Sequence, residues 1–197
     1  MLHRLLPLLA LFALFIAVPA SAQSGEIEQM LRERDAEIKA ILGDGAPNAA
    51  QRDRLRDVVN DVIDFEAMAR EALGPYWSDL SAAQRSAFVD AFGGVVRAQS
   101  LADLGLYRAR VTYGDVDVDG ATAVARTSAR SGDVDAAVVY DLAKKNDAWF
   151  VTDIEIDGVS TVGGYANSFQ RVMKRQGVEA GYDRLMTSLQ RRLERTG

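Results

Sequence analysis

The stretch VDAAVVYDLAKKNDAWFVTDIEIDG, residues 134–158, decides the fold class. Its apolar residues recur with a period near two, which predicts two strands, Val134–Ala143 and Ala148–Asp157. Lys144-Lys145-Asn146-Asp147 between them is a hairpin connection. The same period runs upstream through Ala109–Asp119 and Ala121–Arg130, with turns at Asp119-Gly120 and Ser131-Gly132-Asp133. The reading is a four-stranded antiparallel meander. In its last two strands both faces carry apolar groups: Val138, Tyr140 and Leu142 alternate with Ala137 and Val139, and Trp149 and Val151 with Phe150, Ile154 and Ile156. Burial on one side does not require that. Helices over one face, with part of the other facing a cavity or more helix, account for it.

The flanks are helical. Ile27, Met30, Leu31, Ile38 and Ile41 recur near helical spacing from Glu26 to Leu42, and Gly43 to Asn48 breaks the run. Leu55, Val58, Val59, Val62 and Ile63 mark a second helix; Asp64 caps a third from Phe65 to Leu73, stopped at Gly74-Pro75. Ser81-Ala82-Ala83-Gln84 is a capping box opening a long helix with Phe88, Phe92, Val95 and Val96 on one face. Beyond Ser160, Tyr165, Phe169, Val172 and Met173, then Tyr182, Leu185, Met186, Leu189 and Leu193 after Gly177, predict two more helices and a basic end. The whole reads as α+β: a twisted antiparallel sheet enclosed by helices.

At the amino terminus, Met1-Leu2-His3-Arg4, an apolar run from Leu5 to Val18 and Ala20-Ser21-Ala22 form a cleavable signal peptide, residues 1–22, directing residues 23–197 to the periplasm as one domain. The apolar run is shorter than the ~20 residues a bilayer span needs. Cleavage removes the single histidine and leaves 22 basic against 28 acidic residues, a balance that disfavours nucleic acid as partner. A chain without cysteine and, after cleavage, without histidine has no Ser-His-Asp or Cys-His centre and no His-ligated zinc site.

Several motifs tempt. Asp115-x-Asp117-x-Asp119-Gly120 imitates half a calcium loop, but Arg126 stands where the bidentate glutamate belongs. Gly158-Val159-Ser160-Thr161-Val162-Gly163 resembles a nucleophile elbow whose second glycine comes one residue late, so Ser160 reads as a helix cap. Asp153, Glu155 and Asp157 raise a two-carboxylate hydrolase, against which neighbouring strand carboxylates are expected to be solvated. Arg191, Arg192 and Arg195 could meet phosphate or simply suit a helix carboxyl end.

Val58-Val59-Asn60-Asp61-Val62-Ile63-Asp64-Phe65, then Ala72-Leu73-Gly74-x-Tyr76-Trp77-x-x-Leu80-Ser81-x-x-Gln84-Arg85-x-x-Phe88, carry a family likeness. Tyr140-x-Leu142, Trp149-x-Val151-x-Asp153-x-x-Ile156-Asp157-Gly158-Val159-Ser160, Tyr165, Phe169 and Gly177 extend it. The chain resembles the MlaC, or toluene-tolerance, family of periplasmic phospholipid-binding proteins. The resemblance implies a carrier, not an enzyme: no cofactor or metal, lipid as cargo held by its acyl chains, and transport that maintains outer-membrane asymmetry. It implies two protein partners, an outer-membrane lipoprotein–porin complex and an inner-membrane ABC transporter with a periplasmic lipid-exchange ring. One departure, Ser100 to Leu106, falls where the family is more aromatic, and leaves another amphiphile such as a hopanoid open as cargo. The expected lipid-contacting residues are Phe65, Met68, Leu73 and Trp77; Phe88, Phe92 and Val96; Val138, Tyr140, Ile154 and Ile156; and Val159, Val162 and Phe169.

Overall fold

A computed structural model describes residues 20–100, 104 and 106–196. The expected signal peptide, except for its last three residues, and most of the departing segment after Ser100 lie outside them. Four helices come first: α1 (Ala20–Leu42), α2 (Ala49–Asn60), α3 (Phe65–Leu73) and α4 (Ala82–Ser100). Strands β1 (Arg110–Asp119), β2 (Thr122–Ser131), β3 (Val134–Lys145), β4 (Ala148–Ile156) and β5 (Val159–Ser160) follow, then α5 (Thr161–Gln176) and α6 (Val178–Thr196). The expected caps form. Ser81 and Gln84 exchange two hydrogen bonds of 2.9 and 3.2 Å, and the Asp64 carboxylate accepts the Ala67 N–H at 3.0 Å.

The sheet is an antiparallel meander in the order β1-β2-β3-β4-β5. Its fifth strand is two residues long, too short a run to read by alternation. A second difference matters more. Strict alternation puts Ile154 and Ile156 on the face opposite Trp149 and Val151, but Leu142 pairs with Val151 while Asp141 pairs with Asp153. Thr152 is therefore an extra residue, a bulge that inverts the facing of everything after it. A similar register shift between Tyr113 and Val116 turns β1 over. Two bulges thus assemble one apolar inner face: Val111, Tyr113, Val116 and Val118 on β1; Ala123, Ala125, Thr127 and Ala129 on β2; Ala136, Val138, Tyr140 and Leu142 on β3; Trp149, Val151, Ile154 and Ile156 on β4. The other face carries ion pairs such as Arg126–Asp117 at 2.6 Å and Arg130–Asp135 at 2.8 Å.

Helices α3 to α6 form a bundle with its own core, built on Phe88, Phe92, Phe169, Met173, Leu185 and Leu189. Helix α6 folds back on α5 after Gly177, whose φ of 80° suits glycine, and Gly181 lets the two approach: a Cβ there would lie 2.9 Å from Met173 Sδ and 3.0 Å from its Cα. The bundle is fastened to the free edge of β4 at two places. Val62–Asp64 runs parallel to it, with Val151 N–H donating to Val62 O at 2.7 Å and Asp64 N–H to Val151 O at 2.9 Å. Further along, β5 pairs with Glu155 and Ile156.

Between these fastenings sits Asp153, expected to be solvated but 5 % exposed. Its Oδ1 accepts the N–H groups of Ile154 and Val162 at 2.8 and 2.9 Å, and its Oδ2 accepts the Ser160 hydroxyl. Ser160 Oγ in turn accepts the Gly163 N–H at 2.7 Å and so caps α5. The carboxylate oxygens are spent on holding a helix to a strand.

Replacing Asp153 by alanine strands three donors, one of them on a buried residue, and should destabilise the protein by about 3 kcal/mol. Ser160→Ala, losing chiefly a cap, should cost about 1 kcal/mol. Urea unfolding measures both; equal midpoints for Asp153→Ala and the parent would show that the carboxylate does not join the two parts. Nearby carboxyls give a pH signature. Burial raises Glu71 above its usual 4.5, with the negative charges of Asp153 and Asp141 adding to it. Asp141 is raised above 3.8 by burial, then by Asp153 and Glu155, with Arg126 opposing. Both groups hold their protons more tightly folded than unfolded, so their contribution is greatest below the ordinary values and is lost as pH rises through the raised ones. Glu71→Gln/Asp141→Asn should therefore gain stability over the parent as pH rises from the ordinary carboxylate values through the raised ones. A gap that shrinks over that range would reverse the sign.

Candidate functional site

Each strand of the inner face has a closed end and an open one. On β3, Leu142 is 2 % exposed while Tyr140 and Val138 are half-buried; on β4, Trp149 is 4 % and Val151 2 % exposed, Ile154 is half-buried and Ile156 is 45 % exposed. The register aligns these gradients, since Leu142 pairs with Val151, Tyr140 with Ile154 and Val138 with Ile156. The closed end is sealed by the start of α1, where Ile27 packs with Ala123, Leu142 and Trp149. Helix α1 then reaches β1, with Arg32 over the Tyr113 ring at 4.1 Å and the Tyr113 hydroxyl donating to Leu31 O at 3.5 Å. Its far end leaves the sheet: Ile38, Ile41 and Leu42 pack with Leu55, Val58 and Val59 of α2, against Tyr107.

The result is a trough. Its floor at the open end is small, Ala129 and Ala136, and its walls are larger, Tyr113, Val138, Tyr140 and Ile154, all half-buried; Ala123, Ala125 and Thr127, nearer the closed end, are buried. Apolar domains commonly have one contiguous core. Among the described residues this one has three clusters, and half-buried apolar groups such as Met30, Leu31, Tyr140 and Ile154 fringe the one on the sheet.

The polar atoms of the trough carry little charge. Thr127 Oγ1 donates to Val138 O at 3.1 Å. Burial pushes the Tyr107 phenol up to about 12, and the Tyr113 phenol likewise to about 12, with Asp35 and Tyr140 adding to the latter. Burial also raises Tyr140, with Asp35 contributing. Tyr140 as a whole is half-buried. Asp35 pairs with Lys39 at 2.8 Å. Trp149 Nε1 is buried without an acceptor.

The fourteen expected lipid contacts fall in several places. Val138, Tyr140, Ile154 and Ile156 lie in the trough. Met68, Leu73, Phe88, Phe92, Val96, Val162 and Phe169 lie in the bundle core, where Phe92 is fully buried with ring centroids 5.8 Å from Phe88, 5.0 Å from Tyr165 and 5.8 Å from Phe169. Phe65 is half-buried at its margin beneath Arg97, at 4.5 Å. Trp77 lines an outward hollow of about 370 Å³ with Arg70 and Arg85, each 5.7 Å from its ring. Val159, 69 % exposed, lies on β5. Sequence reading passed over the alanine floor and Tyr113. A second hollow, about 530 Å³ beside Arg110, Arg130 and Asp135, is polar. The calcium-like motif is partly spent, Asp117 being paired to Arg126.

No curated protein sequence matches the chain. Among solved structures, a phospholipid-binding protein from Ralstonia solanacearum, determined in complex with a phospholipid, shares the fold with a TM-score of 0.70 at 22 % identity. The match covers 88 % of this chain and 97 % of that one. The family model for MlaC protein matches residues 32–191, a span from the middle of α1 to the last turns of α6. The fold and this match, extending over most of the described chain, agree with the likeness carried by residues Val58 to Gly177, and the chain belongs to the MlaC family.

Proposed function

We propose that this chain, cleaved after Ala22, is a periplasmic carrier that holds the acyl chains of a phospholipid in the trough and does no chemistry on them. The observation that carries the reading is the aligned burial gradient across the inner face, closed at Trp149 and open at Ile156. Each methylene leaving water contributes about 0.8 kcal/mol, so two ordinary chains represent on the order of 20 kcal/mol that a carrier must nearly match. An apolar channel lined by Val138, Tyr140 and Ile154, floored by alanine, suits that task; charge within it would not. The solved relative's phospholipid and the family membership support the cargo class. The route runs between an outer-membrane lipoprotein–porin complex and an inner-membrane ABC transporter with a periplasmic exchange ring. Hydrolysis is disfavoured by Asp153, whose oxygens are committed to Ile154, Val162 and Ser160.

Native mass spectrometry of the purified mature protein should show a co-purified phospholipid mass; a lipid-free spectrum after gentle purification would count against the carrier, and a hopanoid mass would change the cargo. The floor gives a residue-level test. Ala129→Phe or Ala136→Phe should fill the trough and lower lipid occupancy several-fold while the circular dichroism spectrum is kept. Unchanged occupancy in both folded variants would move the acyl chains elsewhere. Phe92→Asp puts a carboxylate into a closed aromatic core and should unfold the bundle, at a cost of several kcal/mol. A folded Phe92→Asp protein that had lost its lipid would instead make that core part of the cavity.

A further inference from the structure

Helices α5 and α6 carry seven basic and three acidic residues, while the rest of the chain carries 16 basic and 25 acidic. The excess is arranged. On α5, Arg171, Lys174 and Arg175 are all exposed, at positions that share the side opposite the buried Phe169 and Met173. On α6, Arg184, Arg191 and Arg195 stand seven and four residues apart, one exposed stripe to one side of the buried Leu185 and Leu189, and the acidic Glu179, Asp183 and Glu194 lie about a quarter-turn or more away from that stripe. None of these six cations is ion-paired with a carboxylate among the described residues, although most arginines of α1 to α3 and of the sheet's charged face are. In a chain of net negative charge such an unneutralised face orients the molecule toward an anionic surface.

We propose that the outer face of the α5–α6 hairpin docks on an anionic phospholipid membrane. Along α6 the three arginines span about 17 Å, and Arg171, Lys174 and Arg175 lie within about 6 Å of helix at the end of α5. A planar array of phosphates meets charges so spaced all at once, and five of the six are arginines, whose fork binds phosphate with two hydrogen bonds. An acidic protein would need a carboxylate opposite each. Docking stands on charge and is independent of what fills the trough.

The test is co-sedimentation of the full mature protein with vesicles of phosphatidylcholine alone or of phosphatidylcholine with an equal part of phosphatidylglycerol. Binding should be confined to the anionic vesicles, vanish at about 0.5 M salt and weaken about tenfold or more in Arg171→Glu/Lys174→Glu/Arg175→Glu and in Arg184→Glu/Arg191→Glu/Arg195→Glu. Arg56→Glu, on α2, should leave it unchanged. Binding indifferent to vesicle charge, equal binding by both triple variants, or capture by soluble poly-glutamate without any by vesicles would overturn the proposal, the last in favour of an acidic protein partner. Lipid occupancy measured on the same samples keeps the two readings apart, because a failed docking with full occupancy leaves the carrier standing.

Discussion

The structure hangs on one buried carboxylate. Asp153 sits on β4 between the two places where the helical bundle meets the sheet edge, Val62–Asp64 at Val151 and β5 at Glu155–Ile156. It gathers donors from its own strand, from the cap of α5 and from the first turn of that helix. A buried charge is tolerated only when its hydrogen-bonding capacity is met, and here the meeting groups come from both bodies. The requirement to satisfy Asp153 fixes the distance and angle of α5 to β4, and with α5 go α6 and the bundle core.

What the seam holds apart is as important as what it joins. The inner face becomes a single apolar surface only because bulges at Thr152 and between Tyr113 and Val116 turn two strands over part-way along. Without them Ile154 and Ile156 would face away from Tyr140 and Val138, and the apolar set would be split between two sides. An apolar trough of this kind has no catalytic signature, because shielding hydrocarbon from water asks for neither charge nor directed hydrogen bonds.

That chemistry explains what was legible in the sequence. Period-two alternation, turn residues and caps at Asp64, Ser81 and Ser160 gave the meander and its flanking helices, since each is a local signal written in adjacent residues. The bulges were invisible. One extra residue in a strand leaves the composition unchanged, and only pairing with a neighbour reveals it. The candidate site was less legible for a related reason. Phe88, Phe92 and Phe169 look like acyl-chain contacts by size and hydrophobicity, but they interlock with one another in the bundle. Burial selects the same side chains for a packed core and for a cavity wall, so large residues mark neither one in particular. Small residues are no better a marker: of the alanines alternating on β2, Ala123 and Ala125 are buried and Ala129 is half-buried.

Separation of the cores bears on how a carrier survives without its cargo. Among the described residues, the bundle's cluster contains none of the sheet, and Ile63 alone is packed against both it and the sheet cluster. The aromatic contacts of Phe88, Phe92, Tyr165 and Phe169 are therefore indifferent to whether anything lies over Ala129 and Ala136. At the closed end Ile27, Leu142, Trp149 and Val151 are packed by protein alone. Cargo would replace water over the half-buried middle of the sheet, where Val138, Tyr140 and Ile154 are accessible, and its departure would return only that surface to solvent. A fold whose main core were also its binding site would couple release to unfolding, since the free energy of ligand binding is then free energy of folding. On the proposed reading, dividing the apolar residues into a sealed bundle and an open trough would keep the two separate: affinity for a lipid would be set by the trough, and stability by the bundle and its Asp153 seam.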